Sequence, residues 1–292
     1  MPVKFAKRMD RVKASEIREL LKLTARPDII SFAGGLPAPE LFPVQEIAQV
    51  AHDLTLQEGQ KLLQYASTEG RPSLRAKIAQ RMKEKYDTPV EADDILITTG
   101  SQQCLDFAAK LFLDPGDVVL CESPSYLGAL NAFNAYEPIF KEVPTDADGI
   151  IPEELDKILS TTPNCKFIYV IPEFQNPTGI SWTLERRKKF MEVINKYELP
   201  VFEDNPYGEL RYSGTPHPTL KSMDTKGLVS FLGTFSKIFC PGLRLGWIAG
   251  PHAIVDKFVL IKQSADLHTS NFPFRHSHPQ EQTAFRTGEF HA

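Results

Sequence analysis

The stretch "LGTFSKIFCPGLRLGWIAG" occupies residues 232–250 and joins two β-rich runs through a short, non-helical link. A right-handed crossover between parallel strands needs about a dozen residues or more. The second run, at 245–250, is therefore expected to lie antiparallel to the first. Lys237 stands in the link among apolar residues and glycine. A lysine there either extends its amine into solvent or uses it chemically in a partly desolvated site.

Upstream of this stretch, β-rich runs alternate with helical patterns. Counting the pair above, the runs lie at 95–99, 117–121, 138–143, 166–171, 200–204, 228–233 and 245–250. Between them, "SQQCLDFAAKLFL", with Ser101 as its N-cap, and "TLERRKKFMEVINKY" have the character of helices. This alternation predicts an α/β fold, in which a mostly parallel sheet of seven strands is covered by helices on both faces.

The two ends of the chain have a different composition. A Gly/Pro-rich loop, "SFAGGLPAPELFP", precedes two predicted helices near 44–59 and 72–86. The tail at 274–292 contains no Val, Ile, Leu or Met. Because it has no aliphatic face to bury, we expect it to be disordered.

Composition and charge exclude several classes of function. The formal net charge is −4, so nothing general indicates binding to nucleic acid or to an anionic membrane. The four cysteines are scattered and form no C-x-x-C pair, and no zinc or other metal site is predicted. No uncharged apolar run approaches the roughly 18 residues of a membrane span. We expect a cytoplasmic protein.

Polar residues follow the ends of four predicted strands. Ser101, in "TTGSQQ", begins a helix whose N-terminus could bind an anion, although a plain N-cap explains it equally well. Tyr126 could stack on a planar ring, or could simply lie at the surface. Asn176, held extended by the proline that follows it, could point its amide into a cleft or belong to a simple turn. Asp204 leaves a buried strand and needs a partner such as a protonated ring nitrogen, unless it caps a helix.

Lys237 follows the end of a fifth strand, with three further polar residues nearby. An amine in a partly desolvated site has a lowered pKa and can attack a carbonyl group. Thr234, Ser236 and Arg244 can bind a phosphate. Neither a P-loop nor a G-x-G-x-x-G motif is present, so a nucleotide is not the expected anion. Open α/β sheets bind ligands at the carboxyl ends of their strands, where all five groups are expected to meet.

At this point the chain resembles a pyridoxal-phosphate-dependent aminotransferase of fold type I, class I/II, in the branch of the 2-aminoadipate and kynurenine aminotransferases. The resemblance covers about residues 10–273. It is carried by "SFAGGLPAPELFP", "YASTEGRPSLR", "TTGSQQ", "NPTG", "DNPYGEL" and "FSKIFCPGLRLGW", in the order of the family. It implies pyridoxal 5′-phosphate as cofactor, and transamination between an amino acid and a 2-oxo acid.

The resemblance assigns roles around the cofactor ring. Lys237 would form a Schiff base with the cofactor and later carry the substrate proton. Asp204 would keep the ring nitrogen protonated, so that the ring acts as an electron sink. Asn176 and Tyr207 would bind the phenolate oxygen, and Tyr126 would stack on the ring.

Further roles concern the phosphate and the substrate. The backbone of Ser101 and Gln102, with the side chains of Thr234, Ser236 and Arg244, would bind the phosphate. Tyr65 would reach the phosphate of a neighbouring subunit, which implies a homodimer. The substrate would meet Gly35 and Asn176 through its carboxylate and Arg18 through its side chain.

The resemblance also predicts three regions. Residues 1–45 would form an N-terminal arm and substrate loop belonging to a small domain, 46–273 the cofactor-binding large domain, and 274–292 an atypical tail. Family members continue into a small domain with an arginine that binds the substrate carboxylate, and no matching segment follows residue 273. We therefore expect a truncated chain with an incomplete small domain. A non-catalytic remnant, or lyase or decarboxylase chemistry on the same cofactor, stays an alternative.

Overall fold

A computed structural model of the protein describes residues 3–12, 28–30 and 35–271. These residues form seven α-helices: α1 (Val44–Leu62), α2 (Pro72–Tyr86), α3 (Ser101–Phe112), α4 (Leu127–Asn134), α5 (Pro152–Ser160), α6 (Leu184–Tyr197) and α7 (His252–Ala265). The strands are β1 (Ile95–Thr98), β2 (Val118–Glu122), β3 (Ile139–Val143), β4 (Thr145–Asp146), β5 (Gly149–Ile150), β6 (Cys165–Val170), β7 (Val201–Asp204), β8 (Val229–Thr234) and β9 (Gly246–Ala249). Short 3₁₀ turns include Pro39–Leu41 and Pro241–Leu243.

Seven of the strands form one sheet in the order β1-β9-β8-β7-β6-β2-β3. Pairing is parallel from β8 through to β3. β9 is the exception, because it pairs antiparallel with both β1 and β8. The antiparallel orientation predicted from the short link at 234–244 is therefore confirmed. The same pairing makes β1 run in the direction of the parallel strands, so its carboxyl end lies at their edge of the sheet.

Helices cover both faces of this sheet, as predicted, in three layers. Phe167 and Tyr169 of β6 pack into a cluster with α3, α4 and α7, whereas Ile168 and Val170 pack on the opposite face with α5 and α6. Residues of α2 join β1, β8 and β9 in a third cluster on that second face. The central strands are apolar on both sides, which explains why they read as continuous hydrophobic runs.

The structure differs from the sequence predictions in two local details. A small antiparallel hairpin, β4–β5, follows β3 and was not predicted. The predicted N-cap at Ser101 is wrong, because Gly100 occupies that position with φ +77° and Ser101 is the first helical residue. Glycine adopts this backbone conformation without the steric penalty that a side chain would bring.

Some predictions concern residues outside the described ranges. They include Arg18 and the tail at 274–292. The division into three regions also stays a prediction. Within residues 3–12, 28–30 and 35–271, no helix has the length and apolarity needed to cross a membrane.

Candidate functional site

The carboxyl ends of five strands meet at one edge of the sheet, and a residue singled out from the sequence lies at or just after each of them. Ser101 begins α3 after β1, and Tyr126 immediately precedes α4 after β2. Asn176 lies in the loop after β6, Asp204 is the last residue of β7, and Lys237 follows β8. The fold therefore gathers chemically different groups where open α/β sheets bind their ligands.

Asp204 carries the most unusual electrostatic environment of this edge. Its side chain is buried, and its Oδ2 accepts a hydrogen bond of 2.8 Å from the hydroxyl of Tyr169. Its Oδ1 is also buried and has no hydrogen-bond partner among the described residues. Burial raises the pKa of this carboxyl group to about 6, against the opposing effect of Tyr169. A buried acceptor without a donor is costly, so the site is suited to a ligand that supplies an N–H group.

Asn176 and Tyr207 form a hydrogen-bonded pair close to Asp204. The Nδ2 of Asn176 donates to the hydroxyl oxygen of Tyr207 over 3.2 Å. Burial raises the pKa of Tyr207 and of Tyr126, and the negative charge of Asp204 raises both further. Tyr126 and Tyr207 are therefore both partly desolvated and within the electrostatic influence of Asp204.

The loop that carries Asn176 is fixed by its own side chains. Gln175 donates from Nε2 to the carbonyl oxygen of Pro124 over 2.8 Å. Its Oε1 accepts from the backbone N–H of Thr178 over 2.9 Å and from its hydroxyl over 2.7 Å. Gln175 thus joins the loop after β6 to the loop after β2, which precedes Tyr126.

Lys237 lies half-buried after β8, and burial lowers the pKa of its amine. Its Nζ donates a hydrogen bond of 2.9 Å to the carbonyl oxygen of Gly35. The structure thus brings the predicted catalytic lysine to one of the predicted substrate residues, across 202 positions of sequence. A lowered pKa increases the fraction of neutral amine, which is the nucleophilic and basic form.

Thr234, Ser236 and Arg244 form a polar group beside Lys237. The backbone N–H of Ser236 donates to Oγ1 of Thr234 over 3.1 Å, which fixes the turn after β8. Arg244 adopts a left-handed backbone conformation with φ +51°. Its Nη1 lies 3.4 Å from Oγ of Ser236 and donates to the carbonyl oxygen of Pro241 over 3.1 Å.

Arg244 also reaches the N-terminus of α3. A Cβ atom added to Gly100 would lie 2.3 Å from Nη2 of Arg244, so the guanidinium group lies against the start of this helix. Within residues 35–271, the backbone N–H groups of Ser101 and Gln102 have no hydrogen-bond acceptor. A cation beside the partly positive end of a helix is unfavourable unless an anion lies between them. The donor set therefore fits a phosphate group.

Three other predicted residues are placed less centrally. The side chain of Gln102 donates from Nε2 to the carbonyl oxygen of Gly128 over 2.9 Å, so its backbone rather than its side chain is available at the helix start. Tyr65 is 78% exposed and lies edge-on to His268, with 6.1 Å between ring centroids. Arg18 lies outside the described residues.

Sequence reasoning missed several residues that support this edge. Tyr169 is the most direct, since it donates to Asp204 from the neighbouring strand. Its place near the end of a predicted strand was the only available signal. Lys262 and Asp266 bond to each other and to Gln103 beside the start of α3. Gln103 is 159 residues from Lys262 in sequence, so no local pattern links it to the pair.

Comparison with known proteins identifies the family. The model of the family "Aminotransferase class I and II" matches residues 27–272. Aromatic-amino-acid aminotransferase 1 of Thermococcus litoralis is 45% identical over 272 residues, which cover 92% of this chain and 65% of that protein. The 2-aminoadipate transaminase of Thermus thermophilus is 45% identical over 91% of this chain and 66% of its own length.

Solved structures agree with these relatives. A kynurenine aminotransferase of Pyrococcus horikoshii superposes with a TM-score of 0.86 at 44% identity, over 92% of this chain and 67% of that one. LysN, the α-aminoadipate aminotransferase of Thermus thermophilus, was solved with N-(5′-phosphopyridoxyl)-L-leucine and gives a TM-score of 0.85 at 41% identity, over 92% and 67% of the two chains. The chain thus spans about two thirds of the length of the relatives it matches. The predicted fold type is confirmed, and the chain belongs to the aminotransferase class I and II family.

Proposed function

We propose that the chain binds pyridoxal 5′-phosphate and takes part in transamination between an amino acid and a 2-oxo acid. One observation carries the proposal. The buried Oδ1 of Asp204, which has no hydrogen-bond partner in the described part of the chain, lies at the same sheet edge as the amine of Lys237, whose pKa is lowered. A phosphorylated aromatic nitrogen heterocycle with a reactive carbonyl satisfies both groups. The phosphopyridoxyl compound bound to the Thermus relative supports this choice.

The residues around Asp204 are suited to the cofactor ring. When bound, pyridoxal phosphate supplies an electron sink that stabilises negative charge at the substrate α-carbon. Asp204 would accept a hydrogen bond from the ring N–H and hold that proton in place. Asn176 and Tyr207, already bonded to each other, would donate to the phenolate oxygen. Tyr126, in the same desolvated region, would stack on the ring.

Lys237 is the proposed catalytic residue. Because burial lowers its pKa, a larger fraction of the amine is neutral and can act as a nucleophile or as a base. In the neutral form its Nζ would accept the proton of the substrate α-carbon. The carbonyl oxygen of Gly35, which accepts a hydrogen bond from Nζ, orients the amine before the substrate enters.

The phosphate would be bound by the group at the start of α3. The free N–H groups of Ser101 and Gln102 and the guanidinium group of Arg244 supply hydrogen bonds and positive charge. Ser236 and Thr234 add hydroxyl groups from the turn after β8. Anchoring the phosphate fixes the ring relative to Lys237, and such orientation contributes strongly to catalysis.

The substrate proposal rests on the relatives and on two residues. We place the substrate carboxylate near Gly35 and Asn176, and Arg18 stays a prediction for the substrate side chain. The relatives are named for aromatic amino acids, for 2-aminoadipate and for kynurenine. We therefore propose a large α-amino acid, acidic or aromatic, as the donor.

We also propose a homodimer in which Tyr65 reaches the phosphate of the neighbouring subunit. Tyr65 and Leu63 are 78% and 75% exposed at the end of α1, so their apolar surface is available to a second copy. Sedimentation of the wild-type chain against Tyr65→Ala and Leu63→Ser tests the assembly. The four free cysteines, three of them buried, fit a reducing compartment such as the cytoplasm.

Substitution of Lys237 tests the proposed chemistry. The wild-type chain is incubated with pyridoxal phosphate, reduced with borohydride and digested, and mass spectrometry locates the cofactor. We expect modification at Lys237, no stable modification in Lys237→Ala, and wild-type behaviour in the control Lys226→Ala. Modification of another lysine in the wild-type chain would refute the assignment. Assays of amino acids with and without a 2-oxo acid separate transamination, which needs the acceptor, from lyase or decarboxylase chemistry.

A further inference from the structure

We propose that the ion pair between the buried Lys262 and the partly exposed Asp266 positions the first turn of α3 so that the N–H groups of that turn meet the phosphate of the cofactor. This inference rests on the function proposed above. It assigns a positioning role to residues that touch neither the ring nor the substrate. Its starting observation is that the side chain of Lys262, in the last turn of α7, is 0% exposed.

The contacts of Lys262 form a closed ring. Its Nζ lies 2.8 Å and 3.0 Å from the two carboxylate oxygens of Asp266, and donates to Oε1 of Gln103 over 2.8 Å. The Nε2 of Gln103 in turn donates to Oδ2 of Asp266 over 2.8 Å. The amide orientation of Gln103 is therefore fixed at both ends.

This ring also holds the residue immediately before the N-cap of α3. The backbone N–H of Thr99 donates to Oε1 of Gln103 over 3.0 Å. The hydroxyl of Thr99 donates to Oδ2 of Asp266 over 2.7 Å. The backbone N–H and the hydroxyl of Thr99 are thus both hydrogen-bonded to the ring. The N–H groups of Ser101 and Gln102, two and three residues further on, have no acceptor within residues 35–271. Their direction is set while their hydrogen-bonding capacity stays free.

The two helices that carry the ring are packed together. Phe107 of α3 and Phe258 of α7 meet edge to face with 5.9 Å between ring centroids, and both are buried. Packing alone would keep α3 on the sheet. A methionine in place of Lys262 would fill the space without the cost of desolvating a charge. The polar ring is therefore better explained by what it does to the helix start than by general stability.

The charges of Lys262 and Asp266 give the pair a second effect on phosphate binding. The ammonium group of Lys262 lies beside the partly positive end of α3, which is unfavourable without the carboxylate of Asp266. Burial lowers the pKa of Lys262, and the hydrogen bond to Asp266 opposes that effect. If the lysine is removed, the carboxylate of Asp266 loses its cationic partner beside the start of α3. Loss of Lys262 should therefore weaken phosphate binding through both geometry and charge.

The test compares two ligands that differ only in the phosphate, pyridoxamine 5′-phosphate and pyridoxamine. Their dissociation constants are measured by calorimetry for the wild-type chain, Lys262→Met and the milder Thr99→Val. The matched control is Lys257→Met, an exposed lysine on the same helix. We expect Lys262→Met to weaken the phosphorylated ligand by about tenfold or more, the size of a lost charged hydrogen bond, and Thr99→Val to act in the same direction. In Lys262→Met and Thr99→Val, the affinity for pyridoxamine should change by less than about twofold. In the control Lys257→Met, the affinities for both ligands should also change by less than about twofold.

Several outcomes would overturn the inference without touching the proposed function. Unchanged affinity for the phosphorylated ligand in both variants is one, and an equal loss for both ligands is another, because it indicates general damage to the site. If Lys262→Met does not fold, the affinities of Thr99→Val for the two ligands decide whether the inference stands. A wild-type chain that binds neither ligand would instead refute the proposed cofactor, and with it the positioning role.

Discussion

Substituting Gly246 with alanine tests how tightly β9 packs against the start of α3. A Cβ atom at this position would lie 2.6 Å from the backbone nitrogen of Ser101, 2.7 Å from the carbonyl carbon of Gly100 and 2.9 Å from the carbonyl oxygen of Gly233. All three distances are below the 3.0 Å that real Cβ contacts respect. Because all three neighbours are backbone atoms, no side-chain rotation can relieve the clash.

The cost follows from that geometry. Overpacking a well-packed core costs about 1–3 kcal/mol, and three simultaneous backbone clashes place Gly246→Ala towards the upper end of that range. If the free energy of unfolding falls by about 3 kcal/mol per molar urea, a loss of about 2–3 kcal/mol in stability lowers the urea midpoint of unfolding by roughly 0.7–1 M. Relief of the clash would also displace Ser101, so affinity for pyridoxal phosphate should fall as well.

Gly242 provides the matched control in the same segment. It is exposed, and a Cβ atom there would meet nothing within 4 Å. We expect Gly242→Ala to unfold in urea within about 0.2 M of wild type, since surface substitutions usually change stability by about 0.5 kcal/mol or less. Equal midpoints for the two alanine variants, followed by fluorescence and circular dichroism, would refute the packing argument.

Two further substitutions test buried ionisable side chains. Burial raises the pKa of Glu122 to about 8, against about 4.3 in an unfolded chain. The contribution of Glu122 to the free energy of unfolding is therefore fully present below about pH 4.3, the pKa in the unfolded chain, and is lost as the pH rises through about 8. The stability of wild type relative to Glu122→Gln should therefore fall between pH 5 and pH 8 in urea titrations, and a constant difference would contradict this. Arg187 is 0% exposed and bonds to Glu173 over 2.6 Å, so Arg187→Met should cost about 3–5 kcal/mol by leaving a buried carboxylate with less compensation. The exposed neighbour Lys188→Met should be near neutral, and similar urea midpoints for the two would speak against the ion pair.

The central strands of the sheet were predictable because most of their residues are buried. Runs such as 117–121 and 166–171 contain a single charged residue each, and the structure places β2 and β6 there. The orientation of β9 followed from chain length alone, since the link at 234–244 is too short for a parallel crossover. The β4–β5 hairpin was missed because two-residue strands have no periodicity to detect. The sequence favours Ser101 over Gly100 as N-cap because serine is the commoner residue at that position, whereas the structure has Gly100 there.

The candidate site was predictable in its residue types and less so in its contacts. Lys237, Asp204 and Asn176 each follow a strand end, so the rules of α/β sheets place them together. The partner of Lys237, the carbonyl oxygen of Gly35, is 202 residues away and no local pattern indicates it. Tyr169 reaches Asp204 only because β6 and β7 are neighbours in the sheet.

The sequence by itself determined the order of the elements, the direction of β9 and which reactive groups end the strands. These features depend on local hydrophobicity, chain length and residue type. The tertiary structure decided which polar groups are paired and which are left free. It gave Lys262 a place beside Gln103, 159 residues away, and left Oδ1 of Asp204 without a donor among the described residues. Such pairings depend on burial and on distances between elements remote in sequence, which only the folded chain fixes.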